Sequence, residues 1–160
     1  MLSIAALNGS IFYGLASWLP ASYVERGRSQ DSAGLLLTVM ILASLPVGLV
    51  IPWAADRIGS RRLYLAGSAA LMTGAVVGIV LVPGGAWLWV SIVGAANVVA
   101  FVVTLTLPLD ATDRLDEVAA ITGMMLGGGY VCSALAPVGL GAARDLTGGF
   151  GTTLWLIAAG

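Results

Sequence analysis

Ile51-Pro52-Trp53-Ala54-Ala55-Asp56-Arg57-Ile58-Gly59-Ser60-Arg61-Arg62 carries four charges in its last seven positions and lies between two long uncharged runs. Charged residues make up only 9% of the chain, so this concentration marks a place that stays in water. The uncharged runs are Met1 to Val24, Ser32 to Ala55, Leu63 to Leu109, Val118 to Ala143 and Leu146 to Gly160. A helix needs about 20 apolar residues to cross a hydrocarbon core roughly 30 Å thick, and each of the first four runs is long enough. The third is long enough twice, with a break at Val82-Pro83-Gly84-Gly85, where proline removes a backbone donor and the paired glycines favour a turn.

Hydrophobic residues form 59% of the 160, and the mean hydropathy is +0.99, more apolar character than a soluble core of this size requires. The reading is an all-α, polytopic membrane protein with a six-helix bundle. Its spans are expected at about 2–24, 32–55, 62–82, 86–108, 118–143 and 150–160. The last would reach only about 17 Å, half a bilayer core, so the sequence reads as part of a longer protein and Met1 as either an internal methionine or a start. Met1 to Val24 lacks the basic leader of a signal peptide.

A net charge of -1 with no Lys and no His suggests neither nucleic acid nor an anionic surface as partner. It also argues against histidine-ligated metals and histidine triads, and no cofactor is expected. Cys132, alone in an apolar span, reads as a small packed residue. Ser29 or Asp31 is positioned to cap the second helix, and Ser60 the third, with Gly59 supplying the turn. Pro46 bends the second span, either for packing or beside a translocation path. Gly67, Ala70, Gly74 and Gly78 share one face of the third span and read as a packing stripe. Gly127, Gly128 and Gly129 cost roughly 1 kcal/mol each relative to alanine in soluble helices, so something must approach closely: a helix, a ligand or a hinge. Arg144 to Gly149 reads as the turn that closes the fifth span.

No ionisable residue falls deep inside a span, so the uncharged polar groups are the candidates for solute contact. Asn8 and Phe12 are one helical turn apart with Tyr13 adjacent, and Asn97 and Phe101 repeat the spacing. An amide beside a ring suits a small planar or anionic solute, the amide donating and the ring forming an apolar wall. The same amides could instead bond to one another between helices. Asp56 ends one helix and Arg61 and Arg62 open the next, each at the unfavourable end of its own helix dipole. Their reasons must therefore be topology, pairing within the loop, or the oppositely polarised end of a neighbouring helix. The loops after spans two and four hold Arg57, Arg61, Arg62 and Arg114 against Arg26, Arg28 and Arg144 in the opposite loops, a near-even count in which the cluster of three points to a cytoplasmic loop 56–62.

At Asp56-Arg57-Ile58-Gly59-Ser60-Arg61-Arg62 the chain resembles the cytoplasmic loop motif of the major facilitator superfamily, with Pro52 where that motif has its first glycine and Ser60 where it has a basic residue. Phe12 to Pro20, Ala33 to Leu37, Ile121 to Met124 and Asp145 to Gly149, in that order, resemble its cyanate and nitroimidazole-type transporters. The resemblance covers nearly the whole chain and implies spans seven to twelve of twelve, the C-terminal half of a secondary transporter working by alternating access in a bacterial inner membrane. It implies a missing N-terminal six-span half as partner, and small anions or nitro-heteroaromatics as solutes. It places Asn8, Tyr13 and Asn97 on a central cavity. Phe12 and Phe101, from the amide-and-ring spacing, and Tyr130 complete the expected solute contacts. The residues Asp56, Arg57, Gly59, Arg61 and Arg62 become a conformational loop. The competing readings are a stand-alone six-span channel, a membrane-embedded enzyme and a structural membrane module. The channel lacks Asn-Pro-Ala motifs and the enzyme lacks histidine.

Overall fold

Backbone N–H and C=O groups find no water in hydrocarbon, so each must be paired within its own segment, and a helix does this. The computed structural model follows that rule. It describes residues 1–147, without the side chains of Asp56, Ile58 and Thr147. Within them lie five long helices: α1 (Leu2–Glu25), α2 (Gln30–Ile58), α3 (Arg61–Leu81), α4 (Ala86–Thr106) and α5 (Leu115–Thr147). One-turn 3-10 helices at Pro83–Gly85 and Leu107–Asp110 flank α4. All five helices are long and apolar enough to cross a membrane. The sixth span, expected from Phe150, lies outside the described residues.

The turns are built by local chemistry. Gly27 (φ 88°) ends α1 in a left-handed residue, its N–H donating to Val24 O (2.9 Å) and that of Arg28 to Tyr23 O (3.0 Å). Ser29 caps α2, its side chain accepting from Ser32 N at 3.4 Å. At the other end α2 runs three residues past the boundary expected at Ala55, so Asp56 and Arg57 belong to its last turn. Water does not end a helix, and the left-handed Gly59 (φ 69°) does. Ser60 stands at the α3 N-cap but bonds through its carbonyl, to Leu63 N and Tyr64 N, and its side chain makes no cap. Arg144 to Thr147 likewise continue α5 rather than forming a turn.

Helix α4 is central, packing against α2 on one side and α3 on the other and touching α1, while α5 docks chiefly on α1. Leu15, Leu19 and Tyr23 from α1, Leu36 and Met40 from α2, Met72, Val76 and Ile79 from α3, and Val90 and Val93 from α4 form the core. Gly94 permits the α2–α4 crossing, because a Cβ there would overlap the Met40 backbone carbonyl. The α3–α4 hairpin closes on Trp89, whose ring covers Gly78 and Gly85 and whose Nε1 donates to Val82 O at 3.1 Å.

The α3 packing stripe is corrected. Among the described residues only Gly78 of its four members is buried, and a Cβ at Gly67 or Gly74 would meet none of them within 4 Å. The face that packs carries Ser68, Met72, Ala75, Val76 and Ile79, larger side chains that fill the seam, and the glycines are turned one residue away from it. In the α5 glycine run the close neighbour is a helix. Gly128 lies against Leu2 and Gly129 against Ala5 of α1, while Gly127 faces open space.

The chain also repeats itself. Pro46-Val47-Gly48-Leu49 of α2 recurs as Pro137-Val138-Gly139-Leu140 of α5. Ala54-Ala55-Asp56-Arg57-Ile58 recurs as Ala142-Ala143-Arg144-Asp145-Leu146, with the order of the charges exchanged. Asn8 and Phe12 of α1 correspond to Asn97 and Phe101 of α4. Packing follows the repeat, since α1 lies on α5 as α4 lies on α2.

Gly94→Ala is expected to lower stability by about 1–3 kcal/mol through overpacking, and Gly74→Ala to change it by less than about 0.5 kcal/mol. Unfolding midpoints in detergent check this; equal midpoints for the two variants would contradict the assigned α2–α4 contact.

Candidate functional site

Two asparagines placed in apolar helices must find partners or line a polar space. Where α1 crosses α4, Asn97 Nδ2 donates to Asn8 Oδ1 (3.1 Å) and more weakly to the Asn8 backbone carbonyl (3.4 Å). Asn8 and Asn97 hold matching positions in the internal repeat, and here they meet. The interhelical bond does not remove them from open space. On one side Asn97 borders a cavity of about 180 Å³ between α1, α2 and α4, with Phe12, Met40, Ser44, Gly94 and Phe101. On the other, Asn8 borders a smaller cavity between α1, α4 and α5, with Gly9, Phe101, Thr104, Tyr130 and Ser133.

Phe101 borders both cavities and forms the wall between them. Tyr130, half exposed, reaches only the second. Tyr13 borders neither: it packs edge-to-face on Phe12, ring centroids 5.5 Å apart, and supports that ring from outside. A third cleft, of about 230 Å³ between α1, α3 and α4, is largely apolar apart from Asn8, Ser68 and Thr73. Reasoning from sequence passed over Thr104 and Ser133. Thr104 shares a face with Asn97 and Phe101 at spacings of seven and three, a signal present but hidden in a run of β-branched apolar residues.

The ionic groups sit at the two ends of the bundle. Arg61, at the α3 N-terminus, grips the far end of α4: its guanidinium pairs two-pronged with Asp110, one contact at 2.7 Å, and its Nη1 donates to Thr106 Oγ1. Arg61 is thereby misplaced on its own helix dipole but well placed at the negative end of its neighbour's. Gly59 makes the turn that presents it, and a polar cleft formed by Gly59, Ser60, Arg61, Arg62 and Asp110 opens there. Arg57 stacks over Trp53, 4.3 Å from the ring centroid, and Arg62 is exposed. The Asp56 side chain lies outside the described residues. At the opposite end Arg26 Nη1 donates to Ile79 O (2.8 Å), in the last turn of α3, and Arg144 pairs with Glu25 (2.7 Å).

No family model and no solved structure matches the chain. Curated relatives do. The chain is 27% identical over 152 residues to the 2-nitroimidazole transporter of Escherichia coli K12, covering 95% of this chain and 39% of that protein. It is 30% identical over 151 residues to the cyanate transport protein CynX of the same organism, covering 90% and 37%. Along most of its length the chain is similar to proteins named as transporters of cyanate and 2-nitroimidazole. A third such relative, 28% identical over 145 residues, is the uncharacterized transporter YycB of Bacillus subtilis 168, with 88% of this chain and 36% of that protein covered. This transporter-like chain, an integral membrane protein by its apolar helices, spans little more than a third of the length of these relatives.

The Arg61–Asp110 contact is partly exposed, so its contribution is discounted for solvent screening. A double-mutant cycle of Arg61→Gln and Asp110→Asn is expected to give a coupling of about 1 kcal/mol that shrinks at high salt. A coupling indistinguishable from zero at low salt would mean the pair does not hold α3 to α4.

Proposed function

We propose that this chain supplies the C-terminal six-span half of a secondary transporter, spans 2–24 to 150–160, that moves a small anion or nitro-heteroaromatic solute by alternating access. The observation that carries the reading is similarity along 88–95% of the chain to proteins named as transporters of 2-nitroimidazole and cyanate, together with amide- and ring-lined cavities at the α1–α4 crossing. Relatives more than twice as long as the chain support a second, N-terminal half as its partner. The arginine cluster at 57–62 supports a cytoplasmic position for that end, in a bacterial inner membrane.

In this reading Asn8 and Asn97 bind solute oxygen or nitrogen through their amides, and Phe12, Phe101 and Tyr130 confine it between apolar walls. Tyr13 acts through Phe12. The Asp56 to Arg62 segment, the last turn of α2, the Gly59 turn and the start of α3, controls the balance between inward- and outward-facing forms, with Arg61 anchoring it to α4. No Asp, Glu or Arg lies deep inside a described span, so the carboxylate of a proton-coupled cycle would belong to the other half.

The full-length protein in proteoliposomes tests this with labelled cyanate and 2-nitroimidazole. Each amide hydrogen bond contributes about 0.5–1.5 kcal/mol, so Asn8→Ala and Asn97→Ala should each weaken apparent affinity about three- to tenfold while membrane insertion is unchanged. Unchanged kinetics in both variants would remove the pair from the solute path. Asp56→Asn should shift cysteine accessibility between the two faces, and populations identical to the parent would take that role from the turn.

A further inference from the structure

Among the groups bordering the cavity between α1, α4 and α5, Thr104 stands out. It is 3% exposed, and its Oγ1 is buried without a hydrogen-bond partner among the described residues. Threonines in helices ordinarily return the hydroxyl to a carbonyl one turn back, as Thr106 does to Val103 O at 2.7 Å and Ser133 to Gly129 O at 2.7 Å. A hydroxyl left unpaired in a low-dielectric site costs about 1–3 kcal/mol. Beside it, Asn8 is also nine-tenths buried, and its Oδ1 is occupied by Asn97, leaving the Nδ2 donor without a partner among the described residues. The remaining walls are ring and aliphatic surface, with half-exposed Tyr130 and Phe101 at the rim. The space, about 30 Å³, is the size of a terminal atom or two of a solute.

We propose that the Thr104 hydroxyl and the Asn8 amide form a two-donor subsite that takes the compact hydrogen-bond-accepting end of the solute, which makes Thr104 a specificity-determining residue. This rests on the transport reading above and refines it. The subsite offers neutral donors and no cation among its lining residues. A strongly hydrated anion such as sulfate therefore loses more on entering than two neutral hydrogen bonds return, whereas a nitro group or a weakly hydrated anion such as cyanate does not. Selectivity follows from the hydration of the acceptor rather than from its charge alone.

The test uses the full-length protein with two readouts: stabilisation of the purified protein against thermal unfolding by sodium cyanate, 2-nitroimidazole or sodium sulfate at matched ionic strength, and uptake of the first two in proteoliposomes. In the parent, cyanate or 2-nitroimidazole should stabilise and sulfate should not. Thr104→Val, which keeps the shape and removes the hydroxyl, should weaken the stabilising probe about tenfold and raise its KM to match. Thr104→Ser, which restores the hydroxyl, should return both to within about threefold of the parent. Parent-like affinity in Thr104→Val would overturn the subsite and assign the hydroxyl to packing or to a bound water. Equal stabilisation by sulfate would also overturn it, with no variant needed, as would a parent stabilised by neither probe. A parent that binds a probe without taking it up would sink the transport reading and leave the subsite to be judged by binding.

Discussion

Gly94 and the Met40 carbonyl set the spacing on which the bundle depends. In lipid, burying one leucine against another gains nothing over burying it against an acyl chain, so helices associate by close van der Waals fit and a few polar contacts. The missing side chain at Gly94 lets α4 settle onto α2, and the other seams are placed from α4 outward. Trp89 fixes α3 against α4 by filling the groove over Gly78 and Gly85. The Asn8–Asn97 amide contact joins α1 to α4, and α1 then receives α5 through Gly128, Gly129 and the Trp18 indole, which lies over Gly141 and donates to Pro137 O at 2.9 Å. The amide- and ring-lined cavities lie at these seams, so their dimensions are inherited from glycine positions on helices that do not all border them.

The ends of the bundle follow a different physics. Each is in reach of water, and at each an arginine meets the negative end of another helix or a carboxylate: Arg61 with Asp110, Arg26 with the Ile79 carbonyl, Arg144 with Glu25. An arginine can join helix ends in this way because its fork presents several donors in a fixed plane while its stem lies along apolar surface. The absence of lysine from the sequence is consistent with that use, since an ammonium offers no planar fork.

Helix number in the described region, the break at 82–85 and the placement of charge were legible in the sequence because each rests on a one-dimensional property: run length, a backbone-breaking residue, or solvation. Helix ends were less so. Asp56 and Arg57 leave the hydrocarbon but not the helix, since polarity moves a residue into water without unwinding it, and the stop is made by Gly59. Gly67 and Gly74 meet no described helix, because small residues show that a face is smooth, not what lies against it. Gly94 passed unnoticed for the converse reason: it stands alone in its helix with no periodic companion, and only the position of Met40 gives it meaning. The amide-and-ring pairs of Asn8–Phe12 and Asn97–Phe101 were visible as a repeated spacing. That the two amides would meet, and that Thr104 would be left without a partner, depended on the crossing of α1 over α4.

The four described tryptophans divide along the same lines. Trp18 and Trp89 are half-buried in the α1–α5 and α3–α4 seams, each with its indole N–H bonded to a backbone carbonyl, whereas Trp53 and Trp87 are exposed near the ends and stacked with Arg57 and Arg28. An indole in an apolar seam and one beside a guanidinium in contact with water do not emit alike. The molecule thus carries intrinsic optical labels on two of its internal contacts, and a rearrangement that opened one seam and spared the other would be readable as colour, without any dye attached.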